Sequence, residues 1–229
     1  LAAKAGYDVC INFLRDAAAA QRIAAEVREV GRRAHTVQAD VGVESEIERL
    51  FEVADRELGR VSVLVNNAAA VGPGRRRVET MRADAVNALL AANVTGPIVC
   101  AREAIRRMST KHGGPGGAIV NVSSASARVG APNLWIDYAA SKGAVDSFTI
   151  GLAQEVAQEG IRVNAVRPGL IDTEIHLASG IPDRLARTVK YIPMKRAGTA
   201  QEVAEAILWL ASPAASYVSG AILDVAGGR

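Results

Sequence analysis

The sequence predicts an α/β fold: a doubly wound parallel sheet with helices on both faces, in a single domain. Three observations predict it. Short apolar runs alternate with helical stretches from one end of the chain to the other. The runs are apolar enough to be buried on both faces, as strands of a parallel sheet are. No repeat, low-complexity tract or linker interrupts the 229 residues, a length that buries a sizeable core as one unit.

In order, residues 1–6 read as the last turn of a helix, with Gly6 as its stop. Residues 7–13 read as a strand, 16–30 as a helix ended by Gly31, and 34–38 as a second strand. After Asp40-Val41 a helix is expected over about 44–58, stopped by Gly59. Residues 61–65 form a third strand, running into Asn66-Asn67-Ala68-Ala69. A Gly/Pro/Arg loop spans 70–77, and a long helical stretch over 80–110 reads as two pieces. The fourth strand, 118–122, enters Ser123-Ser124. The Ala-rich run after Tyr138 is a helix ending at Gly160, the fifth strand is 161–166, and Pro168-Gly169 closes it. Residues 170–198 read as irregular or short helix, 200–211 as an amphipathic helix and 221–225 as the last strand.

Composition narrows the function classes. Hydrophobic residues make up 49% and charged residues 22%, ordinary values for a soluble globular protein. The formal charge of +3 is scattered. Arg75-Arg76-Arg77 is the one basic cluster and reads as a solvated loop, so no nucleic-acid partner is expected. Cys10 and Cys100 lie far apart and the histidines (His35, His112, His176) are dispersed, so no metal site is expected. Free thiols suit a reducing cytoplasm. No run approaches the roughly 18 apolar residues of a membrane span, and no signal-peptide pattern is present.

The chemistry centres on Tyr138 and Lys142. Four residues apart on a helix, they share one face, a turn apart. An ammonium near a phenol favours the phenolate, giving a proton donor and acceptor usable nearer neutral pH. In a doubly wound sheet ligands bind at the carboxyl ends of the strands. Asp40, Asn66-Asn67, Ser123-Ser124 and Pro168-Gly169 through Thr173 all fall at such ends. Each alone has a structural reading: Asp40 as a helix cap, the asparagines as turn formers, Ser124 as a loop hydroxyl, Tyr138 and Lys142 as surface residues. Their joint placement at one sheet edge points to a site.

Taken in order, Asn66-Asn67-Ala68, Asn93, Ser124, Tyr138-x-x-x-Lys142 and Pro168-Gly169 resemble the short-chain dehydrogenase/reductase family, over essentially the whole chain. The resemblance implies a Rossmann-like fold and hydride transfer between a nicotinamide cofactor and a carbonyl or alcohol carbon. It makes Tyr138 the general acid/base and Ser124 the holder of the substrate oxygen. It makes Lys142 the ligand of the nicotinamide ribose, lowering the Tyr138 pKa, and Asn93 the holder of a relay water. It gives Asp40 and Val41 to the adenine ring, and Asn67, Ala68 and Ala69 to the adenosine ribose side. Pro168, Gly169, Ile171 and Thr173 go to the nicotinamide amide. Ala69 stands where the family usually has Gly. The sequence is similar to 3-oxoacyl-carrier-protein reductases and glucose dehydrogenases of the family.

At the end of the first strand Phe13 stands where an acid would bind a ribose 2′-hydroxyl, and Arg15 follows. An Arg there accommodates a 2′-phosphate, so NADP is expected over NAD. The family's first strand and the Gly-rich turn after it are absent from these residues. That strand would lie mid-sheet, between the strands starting at Tyr7 and Val61, and the turn would set the pyrophosphate on a helix N-terminus. The sequence therefore reads as N-terminally incomplete, because a sheet without its central strand leaves two rows of backbone groups unpaired. Trp135, His176, Leu177 and Ile181 are candidates to line a pocket for a small carbonyl or alcohol substrate. A homotetramer is expected through the Asn93 and Tyr138 helices, with Gly143, Ala144, Phe148, Leu152 and Val156 suited to close packing. The same pattern fits packing within one subunit. A non-catalytic dinucleotide-binding or scaffold protein of the same fold is the alternative reading.

Overall fold

β-Branched and apolar runs form the strands, and Gly, Asn or Asp turns close them. The computed structural model describes residues 1–173, 181 and 184–229. Its strands are β1 (Val9–Phe13), β2 (Ala34–Gln38), β3 (Val63–Asn66), β4 (Gly117–Val122), β5 (Ile161–Pro168), β6 (Ile171–Asp172), β7 (Gly198–Thr199) and β8 (Ile222–Val225). Its helices are α1 (Ala17–Glu29), α2 (Glu44–Leu58), α3 (Ala83–Leu90), α4 (Gly96–Met108), α5 (Ser126–Val129), α6 (Ile136–Glu155), α7 (Arg184–Thr188) and α8 (Ala200–Ala211). Local chemistry sets several ends. Asp16 caps α1 by accepting from the Ala19 amide at 2.8 Å. Thr199 and Glu202 form a reciprocal capping box on α8. Gly6, at φ 94°, closes a 3-10 turn over Ala3–Ala5, where the sequence suggested the end of a helix.

All strand pairings are parallel, and β3-β4-β5-β8 form one sheet in that order. β1 pairs with β2, Val9 opposite Ala34 through Phe13 opposite Gln38. The short β6 and β7 pair beside the main sheet. Successive residues of a strand face opposite sides. Ile119 of β4 and Val163 of β5 enter a core with Phe51 of α2, Ala104 and Met108 of α4 and Leu152 of α6. Ala118 and Val120 of β4 face Val203 and Leu210 of α8 on the other side. The doubly wound parallel architecture predicted by the alternation is the one seen.

Several further details differ from the sequence reading: the third strand is Val63–Asn66 rather than 61–65, and β6 and β7 lie within the stretch read as irregular or short helix. The first strand starts at Val9, and the fifth runs on to Pro168. The two helical pieces after residue 80 are joined through a π-helical turn, Ala91–Thr95, into one stretch from Ala83 to Met108. That stretch is long and apolar enough to cross a membrane, yet here its second half packs on α2 and the sheet and its π turn on α6. The Arg75–Arg77 loop is not uniformly solvated. Arg75 and Arg77 are exposed, but the Arg76 side chain is largely buried in an ion pair described below.

The sheet is in two parts. Among the described residues no hydrogen-bonded pairing joins β1 to β3. A cavity of about 590 Å³ lies between them, with Val9 and Cys10 on one wall and Val63 and Val65 on the other. Val65, which a complete sheet would bury, is 40% exposed. The cavity lies where the sequence reading placed the absent strand.

Candidate active site

Because the strands are parallel, Phe13, Gln38, Asn66, Val122 and Pro168 all end at one edge. Three buried devices fix that edge. Asn66 donates to Asn121 at 2.9 Å and Asn121 to Thr149 at 2.9 Å, which ties β3, β4 and α6 together through polar groups that are satisfied inside the protein. Gly96 brings α4 against the Val41 carbonyl. A β-carbon there would sit 2.4 Å from that oxygen. Asn93, fully buried in the π turn, accepts from the Ala70 amide at 2.7 Å and donates to the Ala70 carbonyl and the Ser141 hydroxyl. Both its amide hydrogens are thus committed to protein partners, and its side chain pins the segment after β3.

β4 runs directly into the two serines. Ser123 is buried and donates to the Lys142 carbonyl at 3.2 Å. Ser124 is half-buried, and its hydroxyl is a polar neighbour of the Tyr138 phenol that draws its pKa down. Tyr138 is buried in the first turn of α6, and burial raises its pKa above the usual phenol value. The Ser124 hydroxyl and the charge of Arg184 act in the opposite direction. Lys142 lies on the same face, its Nζ 5.6 Å from the Tyr138 ring centre. That Nζ donates to the Val122 carbonyl at 2.7 Å, and burial lowers its pKa to about 8. Arg184 is thus a cation acting on the phenol that the sequence reading did not name.

The residues assigned to the cofactor line the same edge. Phe13 is half-buried at the end of β1 and Arg15 is exposed two residues on. Asp40 and Val41 are half-buried; the Asp40 carboxylate accepts from the Gly42 amide at 2.8 Å, shaping the turn into α2. Asn67, Ala68 and Ala69 are exposed after β3. Pro168, Gly169 and Ile171 are half-buried and Thr173 is exposed. Gly169 admits the backbone of Ala226, whose Cα a β-carbon would meet at 2.8 Å. The donor set fits a nicotinamide riboside: Lys142 is a buried ammonium with three donors, and Val122 is its one hydrogen-bond partner among the described residues.

Two features of the site were not expected from the sequence. The Arg76 guanidinium meets the Asp137 carboxylate at 2.6 Å, with both side chains largely buried. Trp135 Nε1 donates to the Gly74 carbonyl at 3.2 Å. Loop 70–77 is thereby fastened twice to the start of the Tyr138 helix. Arg184 lies with its guanidinium 4.1 Å from the Trp135 ring centre. Trp135 and Ile181, expected to line a pocket, pack with Leu89 and Tyr138 in one small cluster. His176 and Leu177 lie outside the described residues.

A family model described as enoyl-(acyl carrier protein) reductase matches residues 1–229. An uncharacterized oxidoreductase of Escherichia coli, YgfF, is 47% identical over all of this chain and 92% of its own length. Among solved structures, a 7α-hydroxysteroid dehydrogenase complexed with NADH and 7-oxo glycochenodeoxycholic acid superposes with a TM-score of 0.90 at 31% identity, over 99% of this chain and 86% of that one. A blue fluorescent protein from a metagenomic library, in complex with NADPH, gives 0.89 at 31% identity, over 99% and 89%. With that fold, that sheet-edge site and those relatives, the chain belongs to the short-chain dehydrogenase/reductase family and is an NAD(P)-dependent oxidoreductase acting on CH–OH groups.

Proposed function

We propose that the chain, as one domain over residues 1–229, moves a hydride between NADP(H) and a small carbonyl or secondary alcohol, with Tyr138 as general acid/base. The buried Tyr138 phenol, with the Ser124 hydroxyl acting on it and Lys142 Nζ 5.6 Å from its ring centre, carries this reading. The nicotinamide supplies or accepts the hydride. Reduction builds negative charge on the substrate oxygen, and two hydroxyls at one point stabilise that charge. With its pKa raised, Tyr138 stays protonated at neutral pH and is ready to donate. Lys142 holds the nicotinamide ribose with the donors Val122 leaves free. Asn93 holds Ala70 in place through its side chain and, in this reading, is also the holder of the relay water.

Arg15, exposed past the acid-free end of β1, supports NADP over NAD. The solved relatives name one cofactor each, NADPH and NADH. A homotetramer is supported by the exposed Ile98 of α4 and Ile150 of α6, and by Gly143 and Gly151 of α6, which have open space above them. Leu152 and Val156 serve the subunit core instead. The free thiols, with no disulfide, support a cytoplasmic setting.

The test is oxidation of NADPH and NADH against a panel of ketones, with Tyr138→Phe as the control. Turnover with NADPH that the variant lacks is the expected result; equal turnover by both proteins would refute the mechanism. The alternative reading is a scaffold of the same fold that binds dinucleotide without chemistry. Cofactor binding with no turnover on any carbonyl would select it.

A further inference from the structure

Arg184 opens α7, its amide bonded to the Ile181 carbonyl at 3.2 Å. The guanidinium stacks 4.1 Å from the centre of the buried Trp135 ring. That ring meets Tyr138 edge-on, 6.0 Å between centres at 71°. The positive charge acts on the Tyr138 phenol, and the guanidinium is itself partly desolvated. Among the described residues no carboxylate pairs with it. Among the described residues, acids around the site are taken by other arginines: Asp137 by Arg76 at 2.6 Å, Asp146 by Arg167 at 2.8 Å, and Asp224 by Arg128. Arg229 adds a second positive charge beside Arg184.

A desolvated cation without a counter-ion is costly. A guanidinium fixed on an indole face also presents a planar fork of donors that matches a carboxylate. We propose that Arg184 is the anion-recognising residue of the substrate pocket, so that the preferred substrates carry a carboxylate on the same small molecule as the reacting carbonyl or alcohol. The indole between Arg184 and Tyr138 sets the spacing: an acid about one ring's width from its carbonyl spans the two. This deepens the oxidoreductase reading and rests on Tyr138 being the proton donor.

The experiment is a binding titration on the intact protein, followed by tryptophan fluorescence. The probes are cyclohexanecarboxylate, its methyl ester and NADPH, against wild type, Arg184→Gln and Arg184→Lys. The acid should bind wild type at least about ten-fold more tightly than the ester, a gap that one charge-assisted pair supplies. Arg184→Gln should erase that gap by weakening the acid alone, and Arg184→Lys should keep part of it. Equal binding of acid and ester by wild type would overturn the proposal. So would a loss in Arg184→Gln that falls on NADPH, which would make the cofactor's phosphates the ligand, or one that falls on acid and ester alike. Binding is read without turnover, so failure here leaves the Tyr138→Phe result standing, and failure of that control leaves this titration interpretable.

Discussion

At Tyr138 two pressures oppose each other. Burial holds the proton on, while the Ser124 hydroxyl and the Arg184 charge draw it off. Tyr138→Phe removes the proton donor and should lower turnover by about 10²–10⁴-fold, with circular dichroism and cofactor binding unchanged. Ketone reduction should hold through neutral pH and fall as the pH rises toward the phenol's raised pKa, and alcohol oxidation should rise over the same range. Lys142 carries the opposite sign for stability. Below pH 8 its ammonium is charged both folded and unfolded, so the burial cost is fully present. Between about 8 and 10.5 the folded form loses its proton first, and the cost fades. Lys142→Met should therefore unfold at higher urea than wild type below pH 8, with the difference closing by pH 10.5, while losing turnover. The Tyr138–Lys142 pair was legible in the sequence because a four-residue spacing fixes a helix face. The role of Arg184 was not, because its partner Trp135 is remote in the chain and only the fold stacks the two.

At the level of elements, the start of α6 is held by loop 70–77. Removing one partner of the largely buried Arg76–Asp137 pair strands the other charge, so Arg76→Gln should cost about 3 kcal/mol in urea unfolding. Gly96→Ala should push α4 off the Val41 carbonyl, costing about 1–3 kcal/mol and weakening dinucleotide affinity through the displaced Asp40-Val41 turn. Most element positions were readable from apolar period and Gly stops: β2 and α2 lie where the pattern placed them. The π turn was not. Ala-Ala-Asn-Val-Thr-Gly has ordinary helical character, and the extra residue sits beside long-range bonds from Asn93 to Ala70 and Ser141 that no local pattern reports. The basic loop misled for the same reason: three adjacent arginines look alike until Asp137 selects the middle one.

Across the whole molecule, strand and helix alternation was enough to give the layers and the parallel sheet, because each buried strand needs cover on both faces. The place of the break came instead from the family resemblance, which sets a strand between β1 and β3. Among the described residues β1 and β3 each carry a row of backbone groups with no strand partner. Amide hydrogen exchange should therefore be slowest in β4 and the part of β5 flanked by both β4 and β8, and clearly faster in β1 and β3. Equal protection across all four would contradict the split.

The break also sets a chemical reporter inside the protein. Cys10 and Cys100 both line the cavity between β1 and β3, and burial raises their thiols to about 11 and about 12. Near pH 8 both are almost wholly un-ionised and should alkylate far more slowly than a free cysteine. Whatever fills that space slows them further, and whatever parts the two strands speeds them. Iodoacetamide labelling of two native residues, read by mass, thus measures how closed the centre of the sheet is, without any engineered probe.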